Sequence, residues 1–547
     1  MTFPVHYAAI HRLDRSAKLV AEPGTDRLWV PSVTVNQDLG WADLTSVTSY
    51  YWRSFRRVQD GTFSDSLGLG NFVVDPTSTP PCSGVLNQAN CQKLYNTVSR
   101  LPAEVYYNNT IAQDSEELRL ASKPYDPASN WPITWVSGVY WSDEVTKWTD
   151  NEYTPGLNAA FTTAGLDAAE VASLVGWGGT PPASSNTNQY SGGAPFPGDL
   201  NYFSHRHYET RQYSAFGEVN YYVEPTLRLT AGLRYLYARE AFDRNAGAYW
   251  NAFYVVNTPP ASRSYALTPK VAIDWDVTPE DTVYANVSRG FRLGSVNRPV
   301  AVDSCIVNGT INGFPSPACA GNLKSYGFSS VPNGYAPDKL WNYEIGDKAR
   351  LFDNRLSIDA ALFYIKWDQI QQDVFLPQDW DFFTNTGSAD ITGFEWEIRG
   401  KVTEELTLGA SGSFTHALLV TTGLILAPNG QPYHDAPVEG VPIWSGKLSA
   451  DYSRPLSDTV DGFARADWTF TGHSHGTFAP GEPDYERPAY ALVGASVGVD
   501  FDAYEISVFA KNLLNDRTLI QQPNVQTVNE GYRPWPRIVG VAASVDF

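Results

Sequence analysis

The stretch "LRLTAGLRYLYARE", residues 227–240, sets Leu227, Leu229, Ala231, Leu233, Tyr235 and Tyr237 at every second position, with Arg228, Thr230, Gly232 and Arg234 between them. Alternation with period two is the pattern of a strand whose two faces meet different media. A soluble sandwich and a membrane barrel both produce it, so the rest of the chain has to choose between a protein core and a lipid.

The same alternation recurs along the 547 residues. Between turn signals it gives about 17 candidate strands and little amphipathic helix. Examples are "DTVYANVSRGF" (281–291), "LTLGASGSFTH" (406–416), "EISVFAKN" (505–512) and "RIVGVAASVDF" (537–547). The connections say more than the strands. Short turns such as "GWAD" (40–43), "VTPED" (277–281), "FDN" (352–354), "VTEE" (402–405) and "RPLSD" (454–458) alternate with long segments around 59–112, 145–208, 292–336, 371–386, 421–440, 473–488 and 515–533. In an up-and-down antiparallel sheet every second connection lies on the same edge. One edge is therefore trimmed and the other elaborated, which is the plan of an outer-membrane barrel with short periplasmic turns and long outer loops.

In hydrocarbon every backbone N–H and C=O has to be paired within the protein, so only helices and closed barrels span it. No apolar run in the sequence approaches the roughly 18 residues of a transmembrane helix. On this reading Leu227 to Tyr237 face lipid, while Arg228, Thr230 and Arg234 face a polar lumen. Tyr235 and Tyr237, with Trp131, Trp135, Tyr140 and Trp141 on another strand, are expected to form an interfacial aromatic girdle.

Composition agrees with an exported protein. Aromatic residues make up 14% and charged residues only 18%, and the formal net charge is −20 with no basic stripe, which argues against nucleic acid as a partner. The four cysteines fall as two local pairs, Cys82 with Cys91 and Cys305 with Cys319, in loop-like sequence on the outer side. Local disulfides in an oxidising compartment are the expectation from proximity, although four cysteines allow three connectivities and free loop thiols are the alternative. The first residues, "MTFPVHYAAIHRLDRSAKLV", lack the parts of a secretory signal. Counting strands back from Phe547 makes the first one, "VTVNQDLGW" (33–41), descend toward the periplasm. A complete barrel of this kind has an even count, so the N-terminal part is expected to be missing. The expected division is a residual outer loop or tail over 1–32 and the barrel over 33–547.

Over nearly its whole length the chain resembles the TonB-dependent outer-membrane receptors. The resemblance is carried by "LTSVTSYYWRSFRRVQD" (44–60), "SEELRLAS" (115–122), "WVSGVYW" (135–141), "YSAFGEVNYYVEPTLRLTAGLRYLYARE" (213–240), "TPKVAIDWDVTPEDTVYANVSRGFRLG" (268–294), "NYEIGDKARLFDNRLSIDAALFYIKWDQIQ" (342–371), "FAKNLLND" (509–516) and the closing "PRIVGVAASVDF", in this order and spacing. It implies a barrel of roughly 22 strands whose lumen holds an N-terminal plug, opened by energy from the inner-membrane TonB complex. The signal peptide, the TonB-contacting segment, the plug and about five strands have no counterpart in these residues. TonB is thus an expected partner only where the plug is present. A sheet cut from a larger barrel would leave two unpaired edges in lipid, so the 547-residue chain alone is not expected to insert and transport. The resemblance also implies an assembly signal at Val541, Ala543, Val545 and Phe547, read by the barrel assembly machinery. Ala542 stands where a Gly is usual. Outer-membrane lipid and an extracellular ligand such as a ferric siderophore complete the implied partners, and no cofactor is implied.

Three smaller motifs bear on chemistry. "GHSHG" (472–476) matches G-x-S-x-G, but the three prolines that follow leave no helix to pack behind Ser474, so catalysis is not expected. His473 with His475, and His205 with His207, place two imidazoles on one side of an extended segment near the outer mouth and are candidate ligand-binding residues, with solvated loop histidines as the plain alternative. Trp380, Phe382 and Phe383 in "QDWDFFTN" are candidates for stacking on a flat or sugar-like ligand, loop packing being the alternative. The expected function is that of a receptor for active uptake of a bulky solute, most readily a ferric siderophore. The competing reading is a secreted, soluble all-β carbohydrate-binding protein or enzyme.

Overall fold

The computed structural model describes residues 19–545 except 71–73, 75, 77–80, 168–169, 172–173, 175–196, 249–254, 258–260, 298–299, 301–306, 312–313, 316–320, 377–380, 422–435, 476–485, 502 and 521–531. Its body is one antiparallel sheet of 20 strand segments. Two of these, Val255–Asn257 and Ala436–Pro437, are short extensions, and Gly24–Trp29 and Ser32–Asp38 form a single row interrupted at Pro31, which leaves 17 rows.

The rows are β1 (Gly24–Trp29 and Ser32–Asp38), β2 (Ala42–Asp60), β3 (Glu104–Ser122), β4 (Ile133–Tyr153), β5 (Leu200–Glu224), β6 (Leu227–Gly247), β7 (Ser262–Thr278), β8 (Asp281–Arg292) and β9 (Asp338–Leu351). They continue as β10 (Leu356–Asp368), β11 (Ser388–Lys401), β12 (Leu406–Thr421), β13 (Trp444–Ser457), β14 (Val460–Thr471), β15 (Tyr490–Phe501), β16 (Tyr504–Lys511) and β17 (Ile538–Val545). Each pairs with its sequence neighbour, and no ladder joins β1 to β17 among the described residues. Turns at 39–41, 225–226, 279–280, 352–355, 402–405 and 458–459 lie on one rim, together with 123–132 and Ala503, and the described parts of the longer connections lie on the other.

The first row starts earlier than the sequence suggested. Its register with β2 runs unbroken from Gly24↔Arg57 to Asp38↔Asp43, so the boundary at residue 33 is corrected to Gly24. Pro31 lacks an N–H and interrupts the row at an edge, where a proline is tolerated. "GTDRLW" carries no hydrophobic alternation to reveal the strand, and a bidentate Arg53–Asp26 pair (Nε–Oδ1 2.9 Å) ties it to β2 instead. The rows on the long-loop side also extend further than expected. β2 reaches Asp60, β4 reaches Tyr153, and β5 begins at Leu200, inside segments read as loop. Above the lipid both faces of a strand meet polar surroundings, so the alternation fades although the ladder continues.

On β6 the opening stretch sorts as its pattern requires. Leu229, Ala231, Leu233 and Tyr235 are exposed on the outer face. Between them, Thr230 is buried on the inner face, where its hydroxyl donates to Asn220 Oδ1 at 2.8 Å. Arg228 pairs with Asp274 (3.0 Å), and Arg234 donates to Ser214 Oγ at 2.9 Å. Outer-facing Trp141, Tyr213, Tyr237 and Tyr265 are successive cross-strand partners, with Tyr213–Tyr237 at 6.4 Å and Tyr237–Tyr265 at 5.2 Å. Near the short-turn rim a second aromatic group includes Trp41 and Trp135, 6.2 Å apart, with Tyr221 and Trp275 also exposed. The span from Leu227 to Tyr237, about ten residues at roughly 3.3 Å and a tilt near 45°, covers about 23 Å, the height of an apolar belt. Tyr140 leaves the expected girdle. It faces inward, with the Arg234 guanidinium 5.9 Å from its ring centre.

Among the described residues the sheet has no central hydrophobic core of its own. The buried clusters sit among the outer connections instead. One joins Leu69, Cys82, Cys91, Leu94, Val98, Leu157 and Phe161 around the helices α1 (Gln88–Val98) and α2 (Leu157–Thr163). Cys82 and Cys91 form a disulfide within it. Cys305 and Cys319 lie outside the described residues.

Leu233→Arg on the outer face should destabilise the folded protein in lipid vesicles by about 2–4 kcal/mol. Urea unfolding in those vesicles measures it, and a loss below about 0.5 kcal/mol, as for an ordinary water-exposed site, would contradict the lipid-facing assignment.

Candidate functional site: the inner wall and the outer mouth

The inner face is lined by charges in opposite-sign pairs. Besides Arg228–Asp274 it carries Lys270–Glu218 (3.1 Å), Arg350–Asp359 (3.1 Å) and Arg465–Glu505 (3.7 Å), and Tyr284 Oη donates to Glu344 Oε1 at 2.7 Å. These residues alternate with the lipid-facing ones on the same strands, so a single period produces both surfaces. A groove of about 590 Å³ on this wall is lined by Asp359, Glu395, Glu397, Ser411, Ser413 and Lys447 among others. Such a surface offers hydrogen-bond donors and acceptors to a hydrated solute or to a polar domain seated in the lumen.

At the mouth, the connection 293–337 is fastened to the hairpin Gln371–Phe375/Asp381–Asn385 by side chains that mimic backbone. Asn297 Nδ2 donates to Phe383 O (2.7 Å) and its Oδ1 accepts from Phe383 N (2.8 Å). Asn385 Nδ2 donates to Ala336 O (2.8 Å) and Gln369 O (3.0 Å), and Gln371 Nε2 donates to Leu293 O (2.8 Å). Beneath them Asp338, 1% exposed, accepts from Arg292 Nε (2.9 Å) and Trp367 Nε1 (3.1 Å). The Arg292 guanidinium also lies 4.9 Å from the Trp367 ring centre. Sequence reading passed over Asp338, Asn297, Gln371 and Asn385. Their one signal was an amide or carboxylate at each junction of strand and loop, a common pattern.

A second loop base lies on the inner side of β4, above the Trp141–Tyr213 row and outside the lipid belt. Burial pushes the Asp150 carboxyl up to about 7, against the pull of Arg206 and Arg244 and with a push from Asp65. Asp65 belongs to the turn Thr62–Ser66, which Gly61 lets approach closely: a Cβ there would come within 2.7 Å of Val105. Glu152 stands beside both carboxylates.

The candidate residues from the sequence scatter. Phe382 is 1% exposed in a loop core with Val300, Leu323, Tyr326, Val374 and Leu376, edge-on to Phe328 at 5.2 Å, so it is corrected from ligand stacking to packing. Phe383 packs on Tyr335 (5.3 Å), and Trp380 lies outside the described residues. His205 and His207 share one face, as expected, but it is the outer one, shared with Tyr213 on the same strand. There His205 meets Asn151 Oδ1 (2.9 Å) and His207 meets Asp243 Oδ2 (3.0 Å). His473 and His475 flank Ser474, and the carbonyls of both accept loop amides. Ser474 sits in a two-residue strand paired to Glu486–Arg487, not at a strand-to-helix turn. Among the described residues no group of three or more His, Cys, Asp or Glu is placed to hold a metal ion. At the C-terminus, Val541 and Val545 are exposed on β17 beside Val508 and Tyr504, while Phe547 lies outside the described residues.

A family model described as TonB dependent receptor-like, beta-barrel matches residues 27–513. Among solved structures, the ferric yersiniabactin uptake receptor FyuA from Yersinia pestis superposes with a TM-score of 0.65 at 14% identity, covering 97% of this chain and 63% of that one. The siderophore receptor PiuA from Acinetobacter baumannii gives 0.60 at 15%, covering 95% and 64%, and the copper transporter OprC gives 0.55 at 12%, covering 96% and 66%. The chain spans less than two thirds of the length of each. At these identities the likeness is one of fold.

Two outcomes are expected at the loop bases. Asp338→Ala leaves Trp367 Nε1 unpaired and should loosen the 293–337 connection by about 1–3 kcal/mol, seen as faster limited proteolysis there with unchanged β-sheet circular dichroism. The raised Asp150 carboxyl stabilises docking of the Thr62–Ser66 turn when protonated. That contribution is full below about pH 4 and is lost as pH rises through about 7. Amide exchange over 61–66, corrected for intrinsic rate, should therefore be slower at acid than at alkaline pH, and Asp150→Asn should flatten the difference.

Proposed function

From the premise that the chain belongs to the TonB-dependent receptor family through its β-barrel domain, we propose that it forms the wall and outer mouth of an outer-membrane receptor for active uptake of a bulky solute, a ferric siderophore in the first instance. The observation that carries this reading is the division of one sheet into an apolar outer face, a charge-paired inner face and a single elaborated rim. A general pore needs only the first two. The ordered loop cores at the rim suit capture of a large solute before it enters.

Several features support the finer parts of the proposal. The ferric siderophore class rests on the likeness to FyuA, a ferric yersiniabactin uptake receptor, and PiuA, a siderophore receptor, whereas OprC is a copper transporter, so the fold accommodates more than one cargo. Outer-membrane placement in a Gram-negative cell rests on the family match, and the belt between the two aromatic groups supports a membrane-spanning wall. Energised passage requires a plug and its contact to the TonB complex, which the family places ahead of the barrel. Among the described residues no strand pairs with the outer edges of β1 and β17, and edges of this kind in lipid call for partner strands to close the wall.

Two measurements test it. The intact mass of the protein isolated from its own outer membrane should exceed 60.4 kDa by roughly 25 kDa, enough for a plug and the closing strands. A mass of 60.4 kDa would remove energised uptake from the proposal. Tryptophan fluorescence of that protein in detergent should be quenched saturably by a ferric trihydroxamate or ferric tricatecholate chelate. Quenching by an oligosaccharide with none by either chelate, and gel mobility unchanged by boiling, would favour the soluble carbohydrate-binding alternative.

A further inference from the structure

On the outer wall, the position directly above each tyrosine of the Tyr213–Tyr237–Tyr265 row is an arginine. Arg211, Arg239 and Arg263 are successive cross-strand partners on β5, β6 and β7. Arg211 is neutralised by Asp143 (3.0 Å) and Glu209. The side chains of Arg239 and Arg263 make no ion pair or hydrogen bond with any described residue, and Arg263 is exposed. Like charges directly opposite one another weaken a sheet, and two facing guanidinium groups with no acid between them are an arrangement that an external anion relieves.

What lies below them narrows the anion. Leu233, Tyr235, Tyr265 and Leu267 are exposed on the same face of β6 and β7. Further toward the short-turn rim this face opens into an apolar groove of about 830 Å³, lined by Val219, Leu229, Ala231, Val271, Ile273 and Tyr343 among others. Ala231 sits between larger neighbours and deepens it. A pair of cations, an aromatic shelf and an apolar groove thus follow one another down a single wall. Their order matches a phosphate headgroup, its linker and its acyl chains.

We propose that Arg239 and Arg263 bind the phosphate of a membrane lipid, whose acyl chains run over Tyr237 and Tyr265 and along Leu233 and Leu267 toward that groove. Each guanidinium presents parallel N–H donors that suit two phosphate oxygens, and a long aliphatic stem of this kind can rest on apolar surface while its charged head stays at the polar boundary. The site rests on the wall facing a bilayer and is independent of what the mouth captures.

Native mass spectrometry of the full chain in detergent, with dioleoyl phosphatidic acid added, tests this. The wild type should retain that lipid about tenfold or more strongly than the Arg239→Gln/Arg263→Gln variant, as expected for lost charge-assisted hydrogen bonds. Retention of dioleoyl phosphatidylcholine should not change, and inorganic phosphate at equal concentration should not displace the acidic lipid. Arg239→Glu places an acid between Arg211 and Arg263, so it relieves the repulsion internally and should fold at least as well while losing the lipid. Equal retention by wild type and both variants would overturn the proposal. Displacement by inorganic phosphate would also overturn it, since the site would then take a free anion. Neither result bears on the chelate titration at the mouth.

Discussion

The constraint on which this structure depends is that hydrocarbon accepts no unpaired backbone amide. A sheet answers it by passing every N–H to a neighbouring strand, and the ladder from β1 to β17 does this row by row. The consequences follow in order. Side chains in such a ladder point alternately to two sides, so the same residues that fix the register also build a lipid face and a water face. Because neighbours in sequence are neighbours in the sheet, connections fall on alternate rims, and each rim can evolve its own length. The Leu227–Tyr237 stretch and the paired charges behind it are two results of one geometry.

Stability is distributed accordingly. The sheet buries little apolar surface against itself, since its outer face is exposed to the surrounding medium and its inner face carries ions. The packed clusters lie in the outer connections, around Leu94 and Phe161 in one case and around Leu323 and Phe382 in another. Each is small and is fastened by polar contacts that a core would not need, such as the Asn297–Phe383 amide pair and the Asp338–Arg292–Trp367 set. The mouth is thus a group of compact units standing on a stiff palisade. Changes in one unit have few packed paths into the next.

How much of this was legible in the sequence depended on whether hydrophobicity carried the signal. Inside the lipid belt it did, because water and hydrocarbon select opposite residues at successive positions, and the rows from β6 to β17 were read close to where they lie. Outside the belt both faces are wet. There the ladder is held by backbone bonds and pairs such as Arg53–Asp26, and the sequence of Gly24–Trp29 or of 145–153 reads like loop. Side-chain direction failed for a related reason. Tyr140 and Trp141 are adjacent and equally aromatic, yet one lies under Arg234 and the other at the lipid boundary, which only the register distinguishes. Phe382 and the His205–His207 pair have side chains suited to a ligand, but burial in one case and orientation in the other decide what a side chain can reach.

The overshoot of β4 and β5 beyond the tyrosine row has a consequence for encounter. From Tyr213 up to Leu200 the wall adds roughly 30 Å, at about 3.3 Å per residue and a tilt near 45°. Electrostatic fields in physiological salt decay over about 8 Å. The rim therefore stands between three and four decay lengths, roughly, above the headgroups. A solute approaching it responds to the protein's own charges and scarcely to those of the membrane.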